Sequence, residues 1–295
     1  MTTTTWHILG PGAIGSLFGC YLQQAGFDVR LIGPNGCQRH RIELVEPHSS
    51  SIHCFEEEAP GQPIHQLLVT VKAHQTREAL EAVHTRVAPN ARILLLQNGM
   101  GAWEAAEELM ENPILLLGTT TEGANRSAPD RILHAGTGET YIGALSPIHQ
   151  AEAEALSHQW QRLPLSLAAD TDIQSRLWRK LAINCAINPL TAIYDCRNGE
   201  LLQNPEALAQ MQAVCTEVEA VMSLVLGQEI RGLFMLATSV AAKTGANISS
   251  MLQDVRRRQP TEIDFITGYL LKAAHRLGLV CPRNEALLNQ VRQLY

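Results

Sequence analysis

Apolar residues at 6–9 run into Gly10, residues 13–25 suit a helix that stops at Gly26, and apolar residues resume at 27–32. That alternation predicts a βαβ unit, closed by the breaker cluster Gly33-Pro34-Asn35-Gly36. Residues 67–71, 91–96 and 114–118 are short apolar runs separated by helical stretches at 76–87 and 102–110, the pattern of parallel strands buried on both faces. Residues 131–134 and 139–143 predict a hairpin around Gly136 and Gly138, and 165–169 a last strand. After Asp170 helical periodicity takes over at 173–192, 206–226, 232–243 and 261–277, with breaks expected at Pro189, Gly227, Gly245 and Pro260. The expected class is α/β: an N-terminal Rossmann-type doubly wound domain over 1–170, then a mostly α-helical domain over 171–295.

A chain of 295 residues suits two domains, and 45% hydrophobic with 18% charged residues gives it enough apolar side chains for a core in each. The net charge of −6 and the lack of a long basic run argue against nucleic acid as a partner. No run approaches the ~18 apolar residues of a membrane span, and the opening MTTTT has no cationic segment followed by an apolar one. Seven scattered cysteines without a C-x-x-C pair point to neither a disulfide framework nor a zinc site. The expectation is a cytoplasmic protein without metal, monomer or homodimer.

Gly10-Pro11-Gly12-Ala13-Ile14-Gly15 is G-x-G-x-x-G set between a strand and a helix. Its first glycine permits the tight turn, its second lets the backbone approach a pyrophosphate, and its third lets the helix pack on the strand. An NAD site carries a carboxylate at the end of the second strand; here the strand ends Leu31-Ile32-Gly33-Pro34, so nothing repels a 2′-phosphate. Arg39 and Arg41, a few residues on, could reach that phosphate, although both suit ordinary solvated charges better. Lys72 and Asn98 follow strands whose carboxyl ends border the ligand crevice of such folds; each alone would also suit a surface lysine or a turn. Lys180, Asn184 and Asn188 recur every fourth residue on an otherwise apolar helix, so a buried polar stripe must meet neighbouring backbone or a ligand. The segment 247–264 combines hydroxyls, three arginines and Glu262, which also reads as a helix start after Pro260.

Together the motifs GPGAIG, TVKAHQT, LLLQNGMG, LLGTTTEGA, LWRKLAINCAINPLTAIYDCRNGEL and NISSMLQDVRRRQPTEIDFITGYLL resemble the 2-dehydropantoate 2-reductase (ketopantoate reductase) family over nearly the whole chain. The resemblance implies NADPH-dependent reduction of 2-dehydropantoate to pantoate, in pantothenate biosynthesis. It implies Lys180 as general acid and Glu262 orienting both substrate and lysine. Asn184, Asn188 and Asn198 would bind substrate oxygens and Ser250 the substrate carboxylate, with Asn98 and Lys72 near nicotinamide and substrate. One departure stands out: where relatives carry an arginine after the second strand to hold the 2′-phosphate, this chain has Pro34 nearby. The alternatives are a related reductase or dehydrogenase of another small hydroxy acid, or a cofactor-sensing protein without chemistry.

Overall fold

The opening βαβ pattern closes as its apolar spacing requires. β1 (Thr5–Leu9) pairs in parallel with β2 (Asp28–Gly33), Trp6 opposite Val29 and Ile8 opposite Leu31, and α1 (Ala13–Gln24) joins them. Residues 6–9 and 15–22 are all buried, so strand and helix are apolar on nearly every side. This computed structural model describes residues 5–58 and 61–295; the first four residues, read above for a leader, lie outside the described residues.

The chain continues through β3 (Gly36–Cys37), β4 (His40–Val45), β5 (Ser50–Phe55), β6 (Ile64–Val69), α2 (Thr76–Glu81), β7 (Val87–Leu95), α3 (Trp103–Leu109) and β8 (Ile114–Thr120). Then come β9 (Gly123–Ala128), β10 (Arg131–Gly136), β11 (Glu139–Ala144), α4 (Gln150–Trp160) and β12 (Ser166–Ala169). One sheet has the order β12-β11-β8-β7-β6-β1-β2-β3, and its stretch from β8 to β2 is parallel throughout. A second, four-stranded sheet has the order β5-β4-β10-β9. The fold is thus α/β with a Rossmann-like first half, as the alternation predicts.

Residues 131–134 and 139–143 do not form the expected hairpin. β10 pairs with β9 and β4 in the small sheet, whereas β11 pairs with β8 and β12 in the large one. The hairpin is β9–β10, turning at Pro129-Asp130, and the chain crosses between sheets at Gly138. A Cβ there would lie 2.3 Å from the Thr121 carbonyl carbon, so Gly138 serves close backbone approach rather than a hairpin turn. β9 escapes a periodicity search because its residues are small or polar and none is buried.

The helical half begins with α5 (Ile173–Ile193), followed by α6 (Pro205–Leu226), α7 (Leu233–Lys243), α8 (Ser250–Arg256), α9 (Ile263–Arg276) and α10 (Pro282–Arg292). Pro189 does not break α5 but lies inside it. Residues 185–190 are buried, and that packing offsets the ~3 kcal/mol that an interior proline costs. The breaks at Gly227 and Pro260 stand: Gly227 closes α6 in the left-handed conformation, with φ of 62°.

Contacts divide the chain into two compact units. One comprises Met1–Gln97 with Ala102–Gln174, the other Asn98–Gly101 with Ser175–Tyr295, so a four-residue loop after β7 belongs with the helices. The first unit's core is centred on Trp160, fully buried on α4, whose ring lies 4.9 Å from Trp6 and 5.9 Å from Phe18. Trp160→Ala is expected to cost about 3–5 kcal/mol, the range for emptying an aromatic core site, read as a lowered urea midpoint by circular dichroism.

Candidate functional site

The glycine-rich loop is built by three backbone ties. Gly10 N–H donates to Ile32 O (3.0 Å), Thr70 N–H to Leu9 O (2.9 Å) and the Thr70 hydroxyl to Gly10 O (2.7 Å). Gly10 has φ of 92°, and a Cβ on it would lie 2.4 Å from Val71 Cγ1. A Cβ on Gly15 would lie 2.3 Å from the Thr70 hydroxyl oxygen and 2.4 Å from Gly10 O. Gly12 differs: a Cβ there meets nothing within 4 Å, and its φ is −71°. Protein packing therefore demands glycine at 10 and 15 but leaves open space at 12, beside the N-terminus of α1. No side chain caps that helix, so its first N–H groups, starting at Ala13 and Ile14, are available to an anion. This cradle fits the pyrophosphate of a dinucleotide.

Lys72, half-buried, precedes a short 3₁₀ turn at Ala73–Gln75. Gln97, given no role of its own by the sequence, ties this loop down: its amide donates to Val71 O and to the Thr76 hydroxyl, both at 2.6 Å. Its only sequence signal is its place directly before Asn98. No carboxylate stands at the end of β2. Of the two arginines expected near the adenosine end, Arg39 is exposed and paired with Glu56 at 2.7 Å, and Arg41 is exposed on β4.

In the second unit, Lys180 lies on α5 and Glu262 immediately before α9. Glu262 is buried and Lys180 half-buried. Desolvation pulls the Lys180 ammonium down to about 8, and the Glu262 charge opposes that fall. Asn98 donates an amide N–H to Glu262 at 3.4 Å. The Asn98 loop is fastened to α9 by Met100 N–H donating to Phe265 O at 2.8 Å, and a Cβ on Gly99 would lie 2.6 Å from that same oxygen. Asn98, Lys180 and Glu262 thus form one cluster assembled from three distant segments.

Asn184 is half-buried and Asn188 buried on the same stripe of α5. One turn beyond, the Thr191 hydroxyl donates to Asn188 O at 2.8 Å and lies 2.7 Å from the Ser249 hydroxyl. Ser249 caps α8 by accepting from Leu252 N–H, which places the exposed Ser250 at the start of that helix. Asn198 is buried, its amide donating to the Thr244 hydroxyl at 2.9 Å, while its carbonyl oxygen has no protein partner. That oxygen is a spare acceptor of the kind a hydroxyl or acid ligand satisfies. Of the residues picked from sequence, Gly10, Pro11, Gly12, Ala13, Ile14, Gly15 and Lys72 belong to the first unit, and Asn98, Lys180, Asn184, Asn188, Asn198, Ser250 and Glu262 to the second.

Residues 6–147 match the family described as Ketopantoate reductase PanE/ApbA, and residues 172–295 its C-terminal part. The chain belongs to the ketopantoate reductase family. It is 38% identical over 290 residues to a 2-dehydropantoate 2-reductase of Vibrio cholerae, covering 97% of this chain and 96% of that one. A 2-dehydropantoate 2-reductase structure from Geobacter metallireducens superposes with a TM-score of 0.89 at 23% identity, over 99% of this chain and 100% of that one. A D-mandelate dehydrogenase solved with NADH and anilino(oxo)acetate shares the fold, with a TM-score of 0.87 at 22% identity over 98% and 97% of the two chains. The chain is accordingly an NAD(P)-dependent oxidoreductase of the ketopantoate reductase family.

The glycine geometry yields a paired expectation. Gly15→Ala should lower stability by about 1–3 kcal/mol through overpacking, whereas Gly12→Ala should leave the melting temperature nearly unchanged yet weaken dinucleotide binding. Thermal unfolding and a fluorescence titration with reduced dinucleotide, run on both variants, check the contrast.

Proposed function

We propose that this protein reduces the ketone of 2-dehydropantoate to pantoate with NADPH, and that Lys180 protonates the new oxygen. The reading is supported by the desolvated Lys180 beside the buried Glu262 charge, with Asn98 donating to the same carboxylate. When bound, the nicotinamide supplies the hydride. Hydride addition leaves alkoxide charge on the former carbonyl oxygen, and an acid held against that oxygen as the charge develops lowers the barrier. With a pKa of about 8, Lys180 is mostly charged at neutral pH and gives up its proton more readily than an exposed lysine. Glu262 keeps the ammonium charged, and its second role is to accept a hydrogen bond from a substrate hydroxyl. Asn184, Asn188 and Asn198 supply amides to substrate oxygens and Ser250 a hydroxyl to the substrate carboxylate, while residues 10–15 and Lys72 hold the dinucleotide. NADPH is preferred to NADH because the end of β2 carries no carboxylate to repel a 2′-phosphate.

Lys180→Ala should lower turnover by about 10²- to 10⁴-fold while NADPH affinity, measured by fluorescence, stays near the parent value. A turnover within a few-fold of the parent at pH 7 sinks the general-acid role, and a better rate with another 2-oxo acid than with 2-dehydropantoate sinks the substrate assignment.

The pH profile follows from the sign of the shift. Lys180 must be protonated to act, so kcat/KM should fall as pH rises through about 8. Glu262→Gln removes the charge that raises the lysine's pKa, so the falling limb should move to lower pH; a limb that moves upward or stays put contradicts the pairing.

A further inference from the structure

The end of β2 lacks the arginine that would grip an adenosine 2′-phosphate, yet a different arginine reaches that corner from the small sheet. Arg126, on β9, donates through Nη2 to Pro11 O at 2.8 Å and to the Ser16 hydroxyl at 3.4 Å. Pro11 is the variable residue of the G-x-G turn, and Ser16 lies in the first turn of α1, its own hydroxyl donating to Pro11 O at 3.1 Å. The same corner borders the end of β2: a Cβ on Gly33 would sit 3.9 Å from Pro11 Cγ. In this fold the adenosine ribose lies between the glycine-rich turn and the end of the second strand. Gly10, Pro11, Ser16, Gly33 and Arg126 all belong to the first unit.

The lack of a carboxylate partner separates Arg126 from three nearby arginines. Arg30 pairs with Asp28, Arg39 with Glu56 and Arg131 with Glu43. Arg126 pairs with no carboxylate among the described residues, and its two hydrogen bonds go to neutral oxygens through one nitrogen. A guanidinium offers five N–H donors in a planar fork, so those on Nε and Nη1 remain to grip a phosphate. Its field extends across the corner: His40, at the start of β4, is held below its ordinary value by burial first and by the Arg126 charge second. His40 is therefore a neutral donor or acceptor beside the arginine rather than a competing cation.

We propose that Arg126 is the anchor of the cofactor's 2′-phosphate and sets the preference for NADPH over NADH, taking the place of the arginine missing after β2. The proposal depends on the NADPH reading above. A pyrophosphate anchor is the competing assignment, but the uncapped N-terminus of α1 already offers its amides to that group, and Pro11, to which Arg126 donates, has its ring toward Gly33 at the end of β2.

Equilibrium titration of the full chain with NADPH and with NADH, followed by dinucleotide fluorescence, tests it for the parent, Arg126→Ala and Arg126→Lys. The expected result is a loss of NADPH affinity of about 10- to 100-fold in Arg126→Ala, the scale of a charge-assisted bidentate contact. NADH affinity should be unchanged, and Arg126→Lys should fall between parent and alanine for NADPH. The parent's NADPH affinity should also fall with added salt more steeply than its NADH affinity, and Arg126→Ala should reduce that difference. Equal losses for both dinucleotides would make Arg126 a pyrophosphate contact and overturn the proposal, as would an undiminished NADPH preference. A parent that binds NADH as well as NADPH would overturn the NADPH reading itself, a result distinct from a preference that survives loss of Arg126. Arg126 is exposed, so the alanine variant should fold, and an unchanged melting temperature checks this.

Discussion

The second unit is organised around the need to keep an ammonium charged in a poorly solvated place. Burial drives Lys180 toward neutrality and Glu262 resists it, with the balance at about 8. Because the folded value lies below the ~10.4 of an unfolded lysine, the folded state holds its proton less tightly. This site therefore opposes folding at neutral pH, and the penalty fades as pH rises from about 8 towards the unfolded value. The apolar residues that bury α5 and the start of α9 offset that penalty. The geometry depends on three segments meeting: α5 brings the lysine, the start of α9 the carboxylate, and the Asn98–Gly101 loop an amide donor fastened to Phe265. Gly99 is required there because any side chain would enter the Phe265 carbonyl, so the loop's conformation and the contact to Glu262 are one constraint.

The first unit applies a different constraint, the close approach of backbone to backbone. Gly10 and Gly15 are dictated by Val71 and Thr70, which arrive from the end of β6 and the residues after it, so the glycine-rich turn is shaped by the neighbouring strand as much as by its own sequence. Gln97 extends the same logic to the next strand, linking the ends of β6 and β7 through Val71 O and Thr76. Side chains at strand ends thus hold the loops that carry Lys72 and the dinucleotide turn.

The βαβ opening, the buried parallel strands and most of the helices were legible because each carries one dominant apolar period. The misreadings fall where that period is weak or overridden. β4, β5 and β9 alternate with polar faces and belong to a small sheet with no strong apolar run, so nothing in the apolar pattern signals that β10 leaves β11 for β9. Pro189 reads as a stop because its local cost is large, and the burial of its surroundings shows why the helix continues. The chemistry is more legible than the topology: the i, i+4 stripe on α5 and Asn98 after β7 stand out as polar residues in apolar settings. Arg126, Gln97 and Thr191 do not, because each acts through a contact to a residue distant in sequence.

Lys180 is a desolvated ammonium poised by Glu262, and its ionisation can be read without turnover. The chain has four lysines, so a ¹³Cε-lysine NMR titration resolves few signals, and Lys180→Arg identifies the one that matters. This signal is expected to titrate near pH 8, about two units below the ~10.4 of a solvated lysine. A Lys180 signal that keeps the solvated value would overturn the desolvated, Glu262-poised ammonium.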